Sequence, residues 1–212
     1  LSEESGFSLN LEVLRRKVTS RTKAIFLNFP SNPTGSILSR EQLESLAQIV
    51  KKYGLYVISD EIYEKIIYDG QRCYSLASLS DIENQVITTN GFSKAYAMTG
   101  WRVGYVFGSE DVISKINLLH SMVTACATTF AQKGAVAALK GDQDCVVKML
   151  SELDKRRKLM VKGINDIQRL SCILPKGAFY VFVNIKQTGL SSWEFADFLL
   201  QKAGVITTPG PT

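Results

Sequence analysis

Ala24-Ile-Phe-Leu-Asn28 and Leu55-Tyr-Val-Ile-Ser-Asp60 are two short apolar runs, each closing on a polar side chain. Between them lies the turn-rich Pro30-Ser-Asn-Pro-Thr-Gly35, followed by a segment of helical length that opens at Ser39. Short apolar runs bounded by turn residues read as buried strands. The segment between them reads as a helix. Ser39 with Gln42 three positions on has the form of a capping box, Leu43, Leu46, Ala47 and Val50 share one face, and Gly54 supplies the stop. A strand, a helical crossover and a second strand imply parallel pairing, because a tight turn cannot join parallel neighbours.

The pattern repeats outward. Gln85-Val-Ile-Thr-Thr-Asn90 and Trp101-Arg-Val-Gly-Tyr-Val-Phe107 read as two further strands. The expected fold class is α/β, a mostly parallel sheet with helices on both faces. Beyond Ser109 the character changes. Val112 to Leu139 reads as mostly helical, with Gly134 and Gly141 as its only expected interruptions or ends. Gln143 to Ile167 reads as a second helix, and Cys172 to Ile185 as a turn leading into a strong β segment. Trp193 to Ala203 is a helix closed by Gly204, and Val205-Ile-Thr-Thr208 heads into a last strand. The expected division is residues 1–140 as part of a larger domain and 141–212 as part of a smaller α+β domain.

Composition narrows the function classes. Hydrophobic residues make up 45% and charged residues 21%, as in a soluble globular protein, and no apolar run could span a bilayer. The opening Leu-Ser-Glu-Glu-Ser does not have the form of a signal peptide. A net charge of +5 invites a nucleic-acid reading, but basic residues are interspersed with acidic ones. The densest cluster, Lys155-Arg-Arg-Lys158, is flanked by Glu152 and Asp154 and reads as a solvated helix face. The four cysteines, Cys73, Cys126, Cys145 and Cys172, have no ligand-like spacing and read as reduced thiols of a cytoplasmic protein. His120, the only histidine, reads as a structural residue among apolar neighbours. No HExxH, Walker or GxGxxG pattern is present.

Three loops follow expected strands, and ligands of open α/β sheets bind beyond the carboxyl ends of the strands. The first holds Asn32-Pro-Thr-Gly35, by itself an ordinary turn. The second is Ser59-Asp60-Glu-Ile-Tyr63, whose aspartate by itself could cap a helix. The third is Asn90-Gly-Phe-Ser93-Lys94-Ala-Tyr-Ala-Met-Thr-Gly-Trp-Arg102-Val-Gly104. A lysine shielded between a strand end and a small-residue loop can be held as the neutral amine that forms an imine.

The third loop resembles the pyridoxal-phosphate (PLP) attachment motif of the class I/II aminotransferases. Asn32, Asp60, Tyr63, Lys94 and Arg102 stand in that family's order. The resemblance implies a fold type I large domain and assigns each residue a role. Lys94 would form the Schiff base and move the proton between substrate Cα and the cofactor. Asp60 would pair with the pyridine nitrogen and keep the ring an electron sink. Asn32 and Tyr63 would contact the 3′ oxygen, and Arg102 the phosphate. Many members carry a serine phosphate ligand where this chain has Gly91, so that contact must come from elsewhere, either from Ser93 or from segments of the longer subunit that this chain lacks.

The expected function is therefore PLP-dependent transfer of an amino group between an amino acid and a 2-oxo acid. Met98-Thr-Gly-Trp-Arg102 and Gly177-Ala-Phe-Tyr180 resemble the aspartate/aromatic branch, although the apolar residues of the latter read as core. The same five residues also serve PLP-dependent lyases and cyclopropane-carboxylate synthases. A PLP-sensing domain of a transcription regulator is the alternative of another class. The resemblance further implies a homodimer and a longer subunit, of which this chain would be a fragment inactive by itself. Neither nucleic acid nor membrane is an expected partner.

Overall fold

The computed structural model describes residues 1–210; Pro211 and Thr212, which end the closing Thr207–Thr212 stretch, lie outside the described residues. Four strands form one sheet: β1 (Ala24–Asn28), β2 (Tyr56–Asp60), β3 (Val86–Gly91) and β4 (Gly104–Phe107). β1, β2 and β3 run parallel, and β4 closes the edge antiparallel to β3. The sheet is mixed and mostly parallel, as expected for the α/β class.

Helix α1 (Leu11–Lys17) precedes β1, and α2 (Arg40–Tyr53) crosses between β1 and β2. The start of α2 is the capping box read from sequence: the Ser39 hydroxyl accepts the Gln42 N–H, and the Gln42 side chain accepts the Ser39 N–H. Its C-cap is Gly54 in the left-handed region. Leu43, Leu46, Ala47 and Val50 pack on Ile25, Leu27, Val57 and Val86 to form the main core. Side chains alternate along a strand, so the residues between these, Phe26 and Tyr56, face the other way and are exposed.

Trp101 to Val103 departs from the strand expected over 101–107. Thr99–Trp101 is a 3₁₀ turn and Arg102 has φ +52°, so pairing begins only at Gly104. The helix expected over 112–139 is two helices, α3 (Glu110–Val123) and α4 (Thr129–Lys140). The break falls at 124–128, where Ala125 is left-handed, and not at Gly134. Gly134 lies inside α4 because the Trp101 ring packs on it; a Cβ there would sit 2.6 Å from Trp101 Cζ3. α5 (Asp144–Asn165) follows as expected.

The strong β segment expected up to Ile185 is mostly irregular. Regular pairing is limited to β5 (Ser171–Cys172) against β6 (Val183–Asn184), with one bridge between Ile67 and Gly177. The backbone from Pro175 to Ala178 is spent on other partners. Gly35 carbonyl accepts the Lys176 and Gly177 N–H groups at 2.9 Å each, and Ala178 N–H donates to Ile66 carbonyl at 2.9 Å. Gly35, at φ +67°, has no room for a side chain because Pro175 lies against its Cα. Helix α6 (Ser192–Ala203) carries a second capping box, Ser191 with Glu194, and ends at left-handed Gly204. Residues 205–208 form no strand among the described residues.

Two side chains differ from their sequence reading. Arg157 is not on the solvated face shared by Lys155, Arg156 and Lys158; its side chain is 3% exposed. It makes a paired hydrogen bond to Asp69 at 2.8 and 2.9 Å, reaches Asp154 and Pro175 carbonyl, and lies 4.2 Å from the Tyr68 ring centre. His120, read as packed, is exposed on α3. No helix among the described residues is long and apolar enough to cross a membrane, and the four cysteines are unpaired.

Candidate functional site

Asn28, Asp60 and Thr89 stand level at the carboxyl ends of the three parallel strands. The loops leaving those ends carry Asn32, Tyr63 and Lys94, so the sheet gathers residues distant in sequence along one edge. Alternation settles which side chain of the Asp60-Glu61 pair faces the site. Asp60 lies on the same face as exposed Tyr56, whereas Glu61 turns into the core, 4% exposed.

Asp60 Oδ1 accepts the Ile62 N–H at 3.2 Å, which tightens the loop directly after β2. The Asn32 loop is tied to that point through Asn28. Asn28 Oδ1 accepts the Asn32 N–H at 2.8 Å, and its Nδ2 donates to Asp60 carbonyl at 3.4 Å. One amide side chain therefore links two of the three loops. Asn28 was legible only as the polar end of a strand.

Tyr63 is buried and its hydroxyl lies 2.5 Å from that of Tyr180. Asn32 Nδ2 donates to the same Tyr180 oxygen at 3.4 Å. Burial pushes the Tyr63 phenol well above its usual value; the Asp60 charge adds to the rise, and Asn32 opposes it. Phe179 packs edge-on to Tyr63, with centroids 5.4 Å apart, and Lys94 Nζ lies 5.8 Å from the centre of the same Phe179 ring. Asn32, Tyr63 and Lys94 thus meet one small aromatic cluster, with Asp60 at the adjoining strand end. Ala178 is fully buried, as a core reading of Gly177-Ala-Phe-Tyr180 requires, but Phe179 and Tyr180 belong to the site. Their signal was the resemblance of that tetrapeptide, not its hydrophobicity.

Ser93 and Arg102 form a second group. Thr99 hydroxyl donates to Ser93 carbonyl at 2.9 Å, and Arg102 donates from Nη1 to Thr99 carbonyl at 3.0 Å. Thr99 had no part in the sequence reading, yet it brings both ends of the Lys94 loop together. Arg102 is exposed and Lys94 is half-buried. Gly91 pairs with Gly104 in the ladder, and a Cβ at Gly91 would stand 3.1 Å from Gly104 Cα.

Glu61 marks the buried side of the same strand end. Its Oε1 accepts the hydroxyls of Ser59 and Ser75 at 2.9 Å each, and burial pushes its carboxyl up. A cleft of about 720 Å³ opens elsewhere, between residues 5–8, 34–42, 70–74 and 173–176. None of the six residues singled out from sequence lines it. The candidate site rests on the proximity of phenol, amide and amine, with a carboxylate at the adjoining strand end, and not on cavity size.

Comparison with known proteins identifies the family. The family model for aminotransferase class I and II matches residues 1–212. An aspartate aminotransferase of Pyrococcus abyssi is 44% identical over 210 residues, covering 98% of this chain and 54% of the relative. Aromatic-amino-acid aminotransferase 2 of Thermococcus litoralis is 41% identical over 98% of this chain and 54% of its own length. The crystal structure of an aromatic aminotransferase from Pyrococcus horikoshii superposes with a TM-score of 0.95 at 43% identity, covering 98% of this chain and 56% of that one. The chain spans about half the length of the relatives it matches. With a match along its whole length, the chain belongs to the aminotransferase class I and II family.

Proposed function

We propose that the protein is a PLP-dependent aminotransferase that moves an amino group between an amino acid and a 2-oxo acid, with aspartate or aromatic amino acids as the donor class. The observation that carries this reading is the convergence of Asn32, Tyr63 and Lys94 on Phe179 and Tyr180, with Asp60 at the adjoining strand end. The donor class follows the aspartate and aromatic aminotransferases among the relatives.

The chemistry of these groups fits the cofactor. An acceptor carboxylate suits a protonated pyridine nitrogen, a phenol beside an amide suits an anionic ring oxygen, and an amine suits an aldehyde. Ser93 and Arg102, linked through Thr99, offer a hydroxyl and a guanidinium for a phosphate. PLP, when bound, supplies a cationic ring that draws electrons away from the substrate's Cα.

The chain's own residues then divide the work. Asp60 would pair with the ring nitrogen and keep it protonated. Asn32 and Tyr63 donate to the 3′ oxygen, and the anchoring of Asn32 through Asn28 fixes where that donor sits. Lys94 Nζ takes the proton from substrate Cα and returns it, as general base and then acid. Phe179 packs beside both Lys94 and Tyr63. We further assign the complete protein to a cytoplasmic homodimer, and residues 1–140 and 141–212 to its larger and smaller domains.

The test is borohydride reduction of the PLP-loaded full-length protein followed by peptide mapping. The label is expected on Lys94; a label on another lysine overturns the assignment. A screen of amino-acid donors with 2-oxo acids should show the amino group passing to the acceptor. Release of ammonia in place of transfer would instead favour the lyase reading.

A further inference from the structure

Tyr180 touches both groups assigned to the 3′ oxygen. The Asn32 amide nitrogen can only donate, so Tyr180 oxygen is an acceptor at 3.4 Å. Either hydroxyl can donate across the 2.5 Å between Tyr180 and Tyr63, and a Tyr180 oxygen that already accepts from Asn32 is the better donor of the two. A Tyr63 that accepts from Tyr180 keeps its own proton free to point out of the pair.

The placement of Tyr180 does not depend on these contacts alone. The segment before it is anchored on both sides: Tyr68 hydroxyl donates to Ala178 carbonyl at 2.6 Å, and Tyr68 N–H donates to Lys176 carbonyl at 3.0 Å. Arg157 in turn lies over the Tyr68 ring and donates to Pro175 carbonyl at 2.6 Å. The hydroxyl is therefore carried on a strap fixed at Gly35, Ile66, Tyr68 and Arg157.

We propose that Tyr180 is a positioning residue whose hydroxyl donates to Tyr63, orienting the Tyr63 proton toward the 3′ oxygen of bound PLP and strengthening it as a donor. The proposal rests on the functional reading above. Hydrogen bonds in series polarise one another, so a donor that itself accepts a bond donates more strongly. A stronger donor at the 3′ oxygen withdraws negative charge from it and from its interaction with the protonated, lysine-linked nitrogen. The nitrogen then loses its proton at lower pH.

The experiment follows the visible absorbance of the PLP-loaded full-length protein against pH. Tyr180→Phe keeps the ring and removes the donor; its midpoint is expected to rise by about half a pH unit. Tyr180→ring-fluorinated tyrosine keeps the fold contacts and makes a stronger donor; its midpoint is expected to fall. The two opposed shifts would not arise from a merely structural role. If both variants leave the midpoint unchanged while borohydride still labels Lys94, the Tyr180 proposal is overturned and the site reading stands. If the unsubstituted protein gives no Lys94 label, the site reading falls and this proposal with it. The fluorinated variant decides the matter alone should Tyr180→Phe fail to fold.

Discussion

Arg157 on α5 and Asp69, 88 positions earlier, meet in a two-pronged hydrogen bond of 2.8 and 2.9 Å. The guanidinium is almost wholly buried, whereas Asp69 is 44% exposed, so the pair lies at the boundary of the core. Its planar fork is what allows one cation to serve Asp69, Asp154 and Pro175 carbonyl together. Arg157→Ala removes these bonds and strands the Pro175 carbonyl, and is expected to cost about 3 kcal/mol. Asp69→Asn leaves Asp154 on the guanidinium and should cost about 1 kcal/mol. Urea unfolding of the full-length protein checks both; equal costs would mean that Asp69 alone carries the cluster.

The same cluster sets an acid limit. Hydrogen bonding to Arg157 holds the Asp69 carboxyl below its ordinary value of 3.8, and the Lys158 and Arg157 contacts do the same for Asp154. A depressed folded-state value means the stabilisation is present above pH 3.8 and lost as pH falls through the lowered values. Glu61 has the opposite sign. Burial raises its carboxyl above 4.5, so its charge opposes folding at neutral pH, and stability is recovered as pH falls through the raised value toward 4.5. Unfolding midpoints of Glu61→Gln against pH should lose this mildly acidic rise while keeping the steeper loss at lower pH. Retention of the rise would assign it to another group.

Two helical glycines make a paired prediction. Gly163 on α5 has open space where a Cβ would go, so Gly163→Ala should stabilise the chain by about 0.8 kcal/mol, the helix-propensity difference. Gly134 on α4 faces the Trp101 ring, so Gly134→Ala should destabilise by about 1 to 3 kcal/mol despite the same propensity gain. Because Trp101 adjoins Arg102, the second substitution is also expected to weaken binding of a phosphate-bearing ligand. Thermal melts of the two variants decide between packing and propensity; shifts of the same sign would show that Trp101 can move aside.

What the sequence revealed, and what it concealed, follows from the range of the interactions involved. Ser39 with Gln42 and the glycines at 54 and 204 are local devices, and each appears where its spacing placed it. The strands before the Asp60 and Lys94 loops were legible for the same reason, whereas those two residues were singled out only by the resemblance of their loops to the family's motifs. Arg157 was misread because its partners Asp69 and Pro175 are distant in sequence, and a basic run on a helix gives no hint of them. The segment 178–182 was misread as a strand because its β-forming side chains serve an aromatic cluster instead of a ladder. Asn28 and Thr99 escaped notice because each acts through a single side chain bridging backbone groups of other loops.

Asn28 offers the most direct test of how the strand ends are coupled. Its side chain accepts from the Asn32 backbone and donates to the Asp60 carbonyl, so it fixes two of the proposed cofactor contacts relative to each other. Asn28→Ala removes both bonds and leaves the Asn32 N–H without this partner. One hydrogen bond at about 1 kcal/mol, together with the freedom given to the loop, should weaken PLP affinity about tenfold. Asn28→Asp retains the acceptor for the Asn32 N–H but loses the donor and adds a negative charge near Asp60. It should therefore recover part of the affinity only if anchoring of Asn32 matters more than the bond to the Asp60 carbonyl. Equilibrium titration of the full-length variants with PLP separates these contributions. An unchanged affinity in Asn28→Ala would mean that the Asn32 loop holds its place without the bridge.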